Sequence, residues 1–269
     1  MAFLILPLIA IFWLSTQSWD GILDTPHYIG LHNFRKLVGD TEFHAAVKNT
    51  AIQLAVELAI IIPAGFCFGY FLSLRRRGWG ALTTIFFIPI LISASARAVI
   101  FTGVFTSSGL LNGLLTKLGL ISLTQPWLAN SHTALYTVVA VDLWAAVGFN
   151  AVMTAGRLSG VSTELREAAL IDGASQWQTM WRVYWPLVLP FTGVLVILHF
   201  LWVLIQSSQN VLLLTQGGPG HSSVTLGYLL YNKAFVTSAL GYSQAIGVVL
   251  FGVGAIGVAV IFRLTKSRE

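Results

Sequence analysis

Apolar residues run in long blocks along this chain and do not alternate with polar ones. Six blocks approach the length of a bilayer crossing, at roughly 2–18, 50–73, 81–105, 133–155, 187–206 and 242–262, since about 20 helical residues cover a hydrocarbon core of about 30 Å. Strands are excluded as the spanning elements. Ile60-Ile61-Ile62 and Ile85-Phe86-Phe87-Ile88 are apolar at consecutive positions, where a barrel strand would alternate. The expected fold class is therefore an all-α membrane protein of six helices, built as one domain over residues 1–269 without linkers. The first block is read as a retained anchor, because no small-residue cleavage pattern follows Trp13 to Trp19 and no basic region precedes it.

Composition agrees with a lipid solvent. With 56% hydrophobic and 9% charged residues, the chain has too little polar surface to cover a water-soluble globule. The formal charge of +5 is dispersed, so it is not a nucleic-acid footprint. It does set an orientation. Arg75, Arg76, Arg77, Arg157, Arg166, Arg182, Arg263, Lys266 and Arg268 fall on one side of the expected spans, against Arg35, Lys36, Lys48, Lys117 and Lys233 on the other, with Arg97 inside the third span. The excess of basic residues beside membrane ends places both termini and the segment 157–185 in the cytoplasm. The outer connections are expected at about 20–48, 107–132 and 207–241. Cys67 stands alone, so the chain builds neither a disulfide nor a cysteine metal site.

The cytoplasmic segment between the fourth and fifth blocks is polar and punctuated by helix caps. Ser162 can cap a helix with Glu164 in its first turn, and Gly173 stands where a helix ends in the left-handed conformation. Ser175 and Gln178 then have the spacing of a capping box. Trp177, Trp181, Tyr184 and Trp185 recur at helical spacing, a stripe suited to the membrane interface. Ala168 and Ala169 are small enough to admit a close neighbour. A mere connection needs only a few residues, so nearly thirty, capped at each step, point to a docking element.

The run Glu167-Ala168-Ala169, three residues, Gly173, nine residues, Val183, one residue, Trp185-Pro186 resembles the EAA loop of binding-protein-dependent ABC importer permeases. Val183 and Trp185 replace isoleucine and leucine of that pattern. Thr215-Gln216-Gly217-Gly218-Pro219 and Ile29-Gly30-Leu31-His32-Asn33-Phe34 extend the similarity to the carbohydrate-uptake, maltose-type branch. The resemblance implies a six-transmembrane-helix type I importer permease in the cell inner membrane, with a cytoplasmic EAA coupling helix. It implies a second permease subunit, two ATP-binding subunits and an extracytoplasmic solute-binding protein as partners, and a sugar as substrate. Glu167, Ala168, Ala169, Asp172 and Gly173 would couple to the ATPase. The chain has no GxxxxGK[ST] phosphate loop, so ATP and magnesium would belong to the ATPase subunits, with no cofactor on this chain.

Ionisable groups in the spans are costly toward lipid and should face protein or water. Glu57, Arg97 and Asp142 fall in the predicted spans, and a buried pair of Arg97 with Glu57 or Asp142 is one reading. Asp142, Ala145, Ala146 and Phe149 share a helical face that, by the resemblance, lines the sugar path. A carboxylate accepts hydroxyl hydrogens, and an aromatic ring packs on the apolar face of a sugar. On the fifth span Trp202, Gln206 and Asn210 form an i, i+4, i+8 stripe, with Ser207 beside Gln206 and His199 three residues before Trp202. The resemblance implies that this helix supplies the other wall of the sugar path, with Ser207 at a lining position; the other reading is interhelical hydrogen bonding for the stripe and packing for His199.

Two rival functions remain open on the residues alone. An ion-coupled secondary transporter would use a relay such as Glu57, Asp142 and His199. A membrane enzyme lacks support, because the chain contains no HExxH or GxSxG, and His27, His32, His44, His132 and His221 have no metal-ligand spacing. A glycerol-phosphate substrate is the alternative to a sugar, with Arg97 as its anion partner.

Overall fold

A computed structural model describes residues 2–21, 23 and 25–265, the side chains of Ala2 and Leu4 excepted. Lys266 and Arg268, counted above in the basic tail, lie outside the described residues. The fold is helical, and among the described residues five helical stretches are long and apolar enough to cross a membrane: Thr41–Ser73, Ala94–Lys117, Ala134–Leu158, Gln176–Ile205 and Leu240–Thr265.

Two of the six expected spans are corrected. The first ends at Leu14, not 18. Ser15 and Thr16 turn their hydroxyls back to the carbonyls of Phe12 and Trp13, each at 2.7 Å, which offers the backbone an alternative to another helical turn. The third expected span, 81–105, is two helices, Trp79–Leu91 and Ala94–Phe105. Pro89 removes one helical donor near the break, Ile92 is extended at φ −74° and ψ 127°, and the Ser93 hydroxyl accepts the Ala96 N–H at 3.2 Å as a new cap. Hydropathy does not register such a break, because residues 88–96 are apolar but for Ser93 and Ser95.

The chain forms two compact units. One comprises Met1–Leu54, Ala98–Val138 and Leu201–Gly257. Its core gathers Leu37, Ala46, Val138, Val211, Leu229, Tyr242 and Ile246. The expected outer connections prove to be structured here. Gln17–Ser18 pairs antiparallel with His27–Tyr28, a two-residue ribbon that adds a trace of β-structure to the all-α expectation. Asp40 Oδ1 accepts the Glu42 and Phe43 N–H groups at 2.8 and 3.4 Å, so the helix opens at Thr41, nine residues before the apolar block. Asn112 organises the connection 107–132: its amide donates to the Ser107 and Gln125 carbonyls, and its oxygen accepts the Trp127 indole at 2.8 Å. The Thr215–Pro219 motif is a tight turn, with Gln216 and Gly217 at φ 50° and 80°. The Tyr228 hydroxyl donates to the Gln216 carbonyl at 2.8 Å, and Asn49 donates to the His221 and Val224 carbonyls.

The other unit comprises Ala55–Arg97, Val139–Phe200 and Val258–Glu269. Phe66, Tyr70, Leu158, Met180, Tyr184 and Val188 form its buried core. Helix Thr41–Ser73 meets helix Ala134–Leu158 here at glycines. A methyl group at Gly65 would lie 2.8 Å from Asn150 Cβ, and one at Gly69 would lie 2.7 Å from Thr154 Cβ. Two small residues one turn apart let the helix backbones approach closely.

Candidate coupling helix and membrane-embedded polar residues

Helix Thr163–Ile171 is closed at both ends by its own sequence. The Ser162 hydroxyl accepts the Glu164 N–H at 3.2 Å. At the far end Ala174 N–H donates to the Ala169 carbonyl at 2.9 Å and Gly173 N–H to that of Leu170 at 3.1 Å. This pairing is the Schellman motif, and it needs Gly173 in the left-handed region, where it sits at φ 77°. Glu167, Ala168, Asp172 and Gly173 are exposed, whereas Ala169 is buried. Leu165 and Leu170 also expose much of their surface, and Ile171 is 86% exposed. A short helix that shows aliphatic side chains and a carboxylate together has a face suited to a protein partner.

The capping box that opens the next helix is present, with Ser175 N–H donating to Gln178 Oε1 at 2.8 Å and Gln178 N–H to Ser175 Oγ at 3.2 Å. Helix Gln176–Thr179 then widens into a π turn over Met180–Tyr184 and continues as Trp185–Ile205. The widened turn precedes Pro186, whose ring would press on the Arg182 carbonyl in a regular helix. The expected interfacial aromatic stripe is split. Trp177 is 62% exposed, but Trp181 and Trp185 pack tilted and edge-on against Phe66 at 5.2 and 4.8 Å between centroids. Tyr184 is buried against Tyr70 at 5.3 Å. Phe66 and Tyr70 are about 100 residues away in sequence, so spacing alone could not distinguish lipid contact from packing.

Asp142, Ala145 and Ala146 are buried on helix Ala134–Leu158, while Phe149 is half-buried, 6.5 Å from the Phe87 ring. Trp202, Gln206, Ser207 and Asn210 belong to the other unit. The i, i+4, i+8 stripe expected there is not kept. The helix ends at Ile205 and restarts at Ser208, with Ser207 N–H reaching back to Trp202. That shift leaves Gln206 exposed and Trp202 half-buried, and it buries Ser207 and Asn210. The Ser207 hydroxyl donates to the Val203 carbonyl at 2.6 Å and lies 3.5 Å from Gln53 Oε1.

The suggested pairing of Glu57 with Arg97 is also corrected. Glu57 pairs with His199 Nε2 at 2.8 Å, and both are buried. Arg97 is buried too, and its Nε makes no hydrogen bond. Sequence reasoning had both members of the Glu57–His199 pair, but their separation of 142 positions carries no local signal.

Residues 61–268 match the family described as the inner membrane component of binding-protein-dependent transport systems. The chain belongs to that family. Among curated relatives, this permease is 32% identical over 284 residues to the diacetylchitobiose uptake system permease protein of Streptomyces coelicolor, covering 97% of this chain and 77% of that one. It is 30% identical over 253 residues to a probable ABC transporter permease protein of Bacillus subtilis, covering 93% and 86%. The multiple sugar-binding transport system permease protein of Streptococcus mutans is 29% identical over 255 residues, covering 95% and 86%. In fold, the permease superposes on a chain of a bacterial ABC transporter involved in import of the acidic polysaccharide alginate. The TM-score is 0.85 at 21% identity, over 98% of this chain and 90% of that one.

Proposed function

We propose that this permease carries a sugar across the cytoplasmic membrane by alternating access, driven by ATP hydrolysis on a separate subunit. Helix Thr163–Ile171 carries the reading: it is capped at both ends and presents Glu167, Ala168 and Ile171 outward, as a rigid lever seated in an ATPase would. Force passes between subunits only through contacts that differ between states, and a fraying helix could not hold such contacts. The working assembly is this chain with a second permease subunit, two ATPase subunits that hold ATP and magnesium, and an extracytoplasmic solute-binding protein. Both termini and the coupling helix lie in the cytoplasm in this arrangement. The similarity to permeases of a diacetylchitobiose uptake system and a multiple sugar-binding transport system supports a carbohydrate substrate. From helix Ala134–Leu158, Asp142, Ala145, Ala146 and Phe149 are proposed to meet it; Trp202, Gln206, Ser207 and Asn210, which run from helix Trp185–Ile205 across the break into Ser208–Leu214, are proposed as substrate contacts in their own right.

A glycerol-phosphate type of solute is a second reading, favoured by the buried Arg97 whose Nε lacks a hydrogen bond. The test is uptake by the reconstituted complex loaded with its binding protein. Glu167→Lys and Gly173→Asp should abolish ATP-driven uptake while the chain still inserts and assembles. Normal uptake in both variants would remove the coupling role, and uptake that follows a proton or sodium gradient without ATP would favour an ion-coupled transporter.

A further inference from the structure

Behind the coupling helix, a cavity of about 330 Å³ is lined by Tyr70, Leu74, Arg76, Arg166, Leu170, Gln176 and Thr179. Two arginines line it and no Asp or Glu does. Among the described residues, the ion pairs join Glu57 to His199 and Glu42 to His221 and Lys233, so neither arginine is neutralised by an Asp or Glu. Arg166 Nε is buried and makes no hydrogen bond. A buried donor on a fixed charge is costly when left without an acceptor. The remaining polar groups on the wall are the Tyr70 hydroxyl, the Gln176 amide and the Thr179 hydroxyl, the last donating to the Ser175 carbonyl at 3.0 Å. The volume is about ten times the roughly 30 Å³ share of one water molecule, enough for a tetrahedral oxyanion and part of an organic group.

We propose that this cavity binds a phosphate group, held by Arg76 and Arg166. Guanidinium forks match phosphate oxygens in charge and geometry, and the Tyr70 hydroxyl and Gln176 amide add neutral donors. The bound group would tie the end of helix Thr41–Ser73 to Arg166, the residue immediately before Glu167 of the coupling motif. Occupancy would therefore stiffen the base of the coupling helix. The phosphate can come from a soluble anion or from the headgroup of an anionic phospholipid, and the proposal is independent of which solute the permease carries.

The experiment uses the assembled transporter, purified in detergent and stripped of lipid. One arm titrates inorganic phosphate and follows the thermal unfolding midpoint. The other measures retention of phosphatidylglycerol against phosphatidylcholine by native mass spectrometry. Wild type is compared with Arg166→Gln, Arg76→Gln, Gln176→Glu and the control Arg35→Gln, which lies outside the cavity. Gln176→Glu supplies a carboxylate to the arginines at nearly constant shape, so it removes the ligand without leaving charge unbalanced. The expected result is at least a tenfold weaker affinity in the three cavity variants and wild-type behaviour in the control. A response to inorganic phosphate supports the site with a soluble source, and selective retention of phosphatidylglycerol supports it with a lipid source. Binding of neither ligand, as when a carboxylate of the ATPase fills the cavity, overturns the proposal. So does equal binding by wild type and Gln176→Glu.

Discussion

Replacing Gly69 with alanine probes the close helix contact that leads into the coupling segment. The added methyl would lie 2.7 Å from Thr154 Cβ, 2.9 Å from Thr154 Cγ2 and 2.8 Å from the Ala151 carbonyl oxygen. Carbon atoms rest about 3.5–4.0 Å apart, so the overlap is roughly 0.8–1.3 Å and the close contacts involve backbone as well as side chain. The Thr154 side chain cannot relieve it alone. Helices Thr41–Ser73 and Ala134–Leu158 must part, and overpacking of this kind costs about 1–3 kcal/mol. Alanine returns about 1 kcal/mol through its better helix propensity, which leaves a net loss of up to about 2 kcal/mol. At about 2–4 °C per kcal/mol for a chain near this size, the apparent midpoint in a detergent thermal melt should fall by up to roughly 8 °C. Gly103→Ala is the matched control, because a methyl there meets nothing within 4 Å and only the propensity gain remains. Opposite signs at the two glycines are expected. A Gly69→Ala midpoint at or above wild type would refute the close-contact argument.

Two further perturbations test other parts of the fold. His199→Ala takes the 2.8 Å partner from the buried Glu57 carboxylate and should cost about 3 kcal/mol, whereas the double change His199→Leu with Glu57→Leu should recover much of it. A double variant that loses as much as the two single variants added together would show that the pair holds no shared energy. Asp40 is held below the ordinary carboxylate range. Burial pushes its pKa up, but the Tyr242 hydroxyl, the Glu42 and Phe43 N–H groups and the Lys233 charge outweigh that and bring it down. A depressed pKa contributes stability above the unfolded value near 3.8 and loses it as pH falls through the folded value. The midpoint gap between wild type and Asp40→Asn should stay level from about pH 7 to 5 and close below about pH 4; a gap that widens in acid would contradict this sign.

What the linear chain determined is the part that local physics controls. Consecutive apolar residues specify helices in lipid because a spanning backbone must satisfy its own hydrogen bonds. The two caps at Ser162 and Gly173 and the box at Ser175 and Gln178 are closed within a few residues, so their geometry was legible at the level of spacing. The family motif was legible for the same reason, since its glycine and proline act on the backbone where they stand.

Tertiary structure decided everything that depends on which face meets which neighbour. Trp181 and Trp185 read as a lipid-interface stripe until Phe66 supplied a partner. Glu57 found His199 and not Arg97, because helix packing, not charge, selects the partner of a buried acid. The stripe through Trp202, Gln206 and Asn210 failed because a break after Ile205 rotates the following turn, and hydropathy is blind to that rotation. The arginine-lined cavity has the same origin: Arg76 and Arg166 are 90 positions apart in the sequence, and only the packing of helices around Tyr70 sets them on one wall.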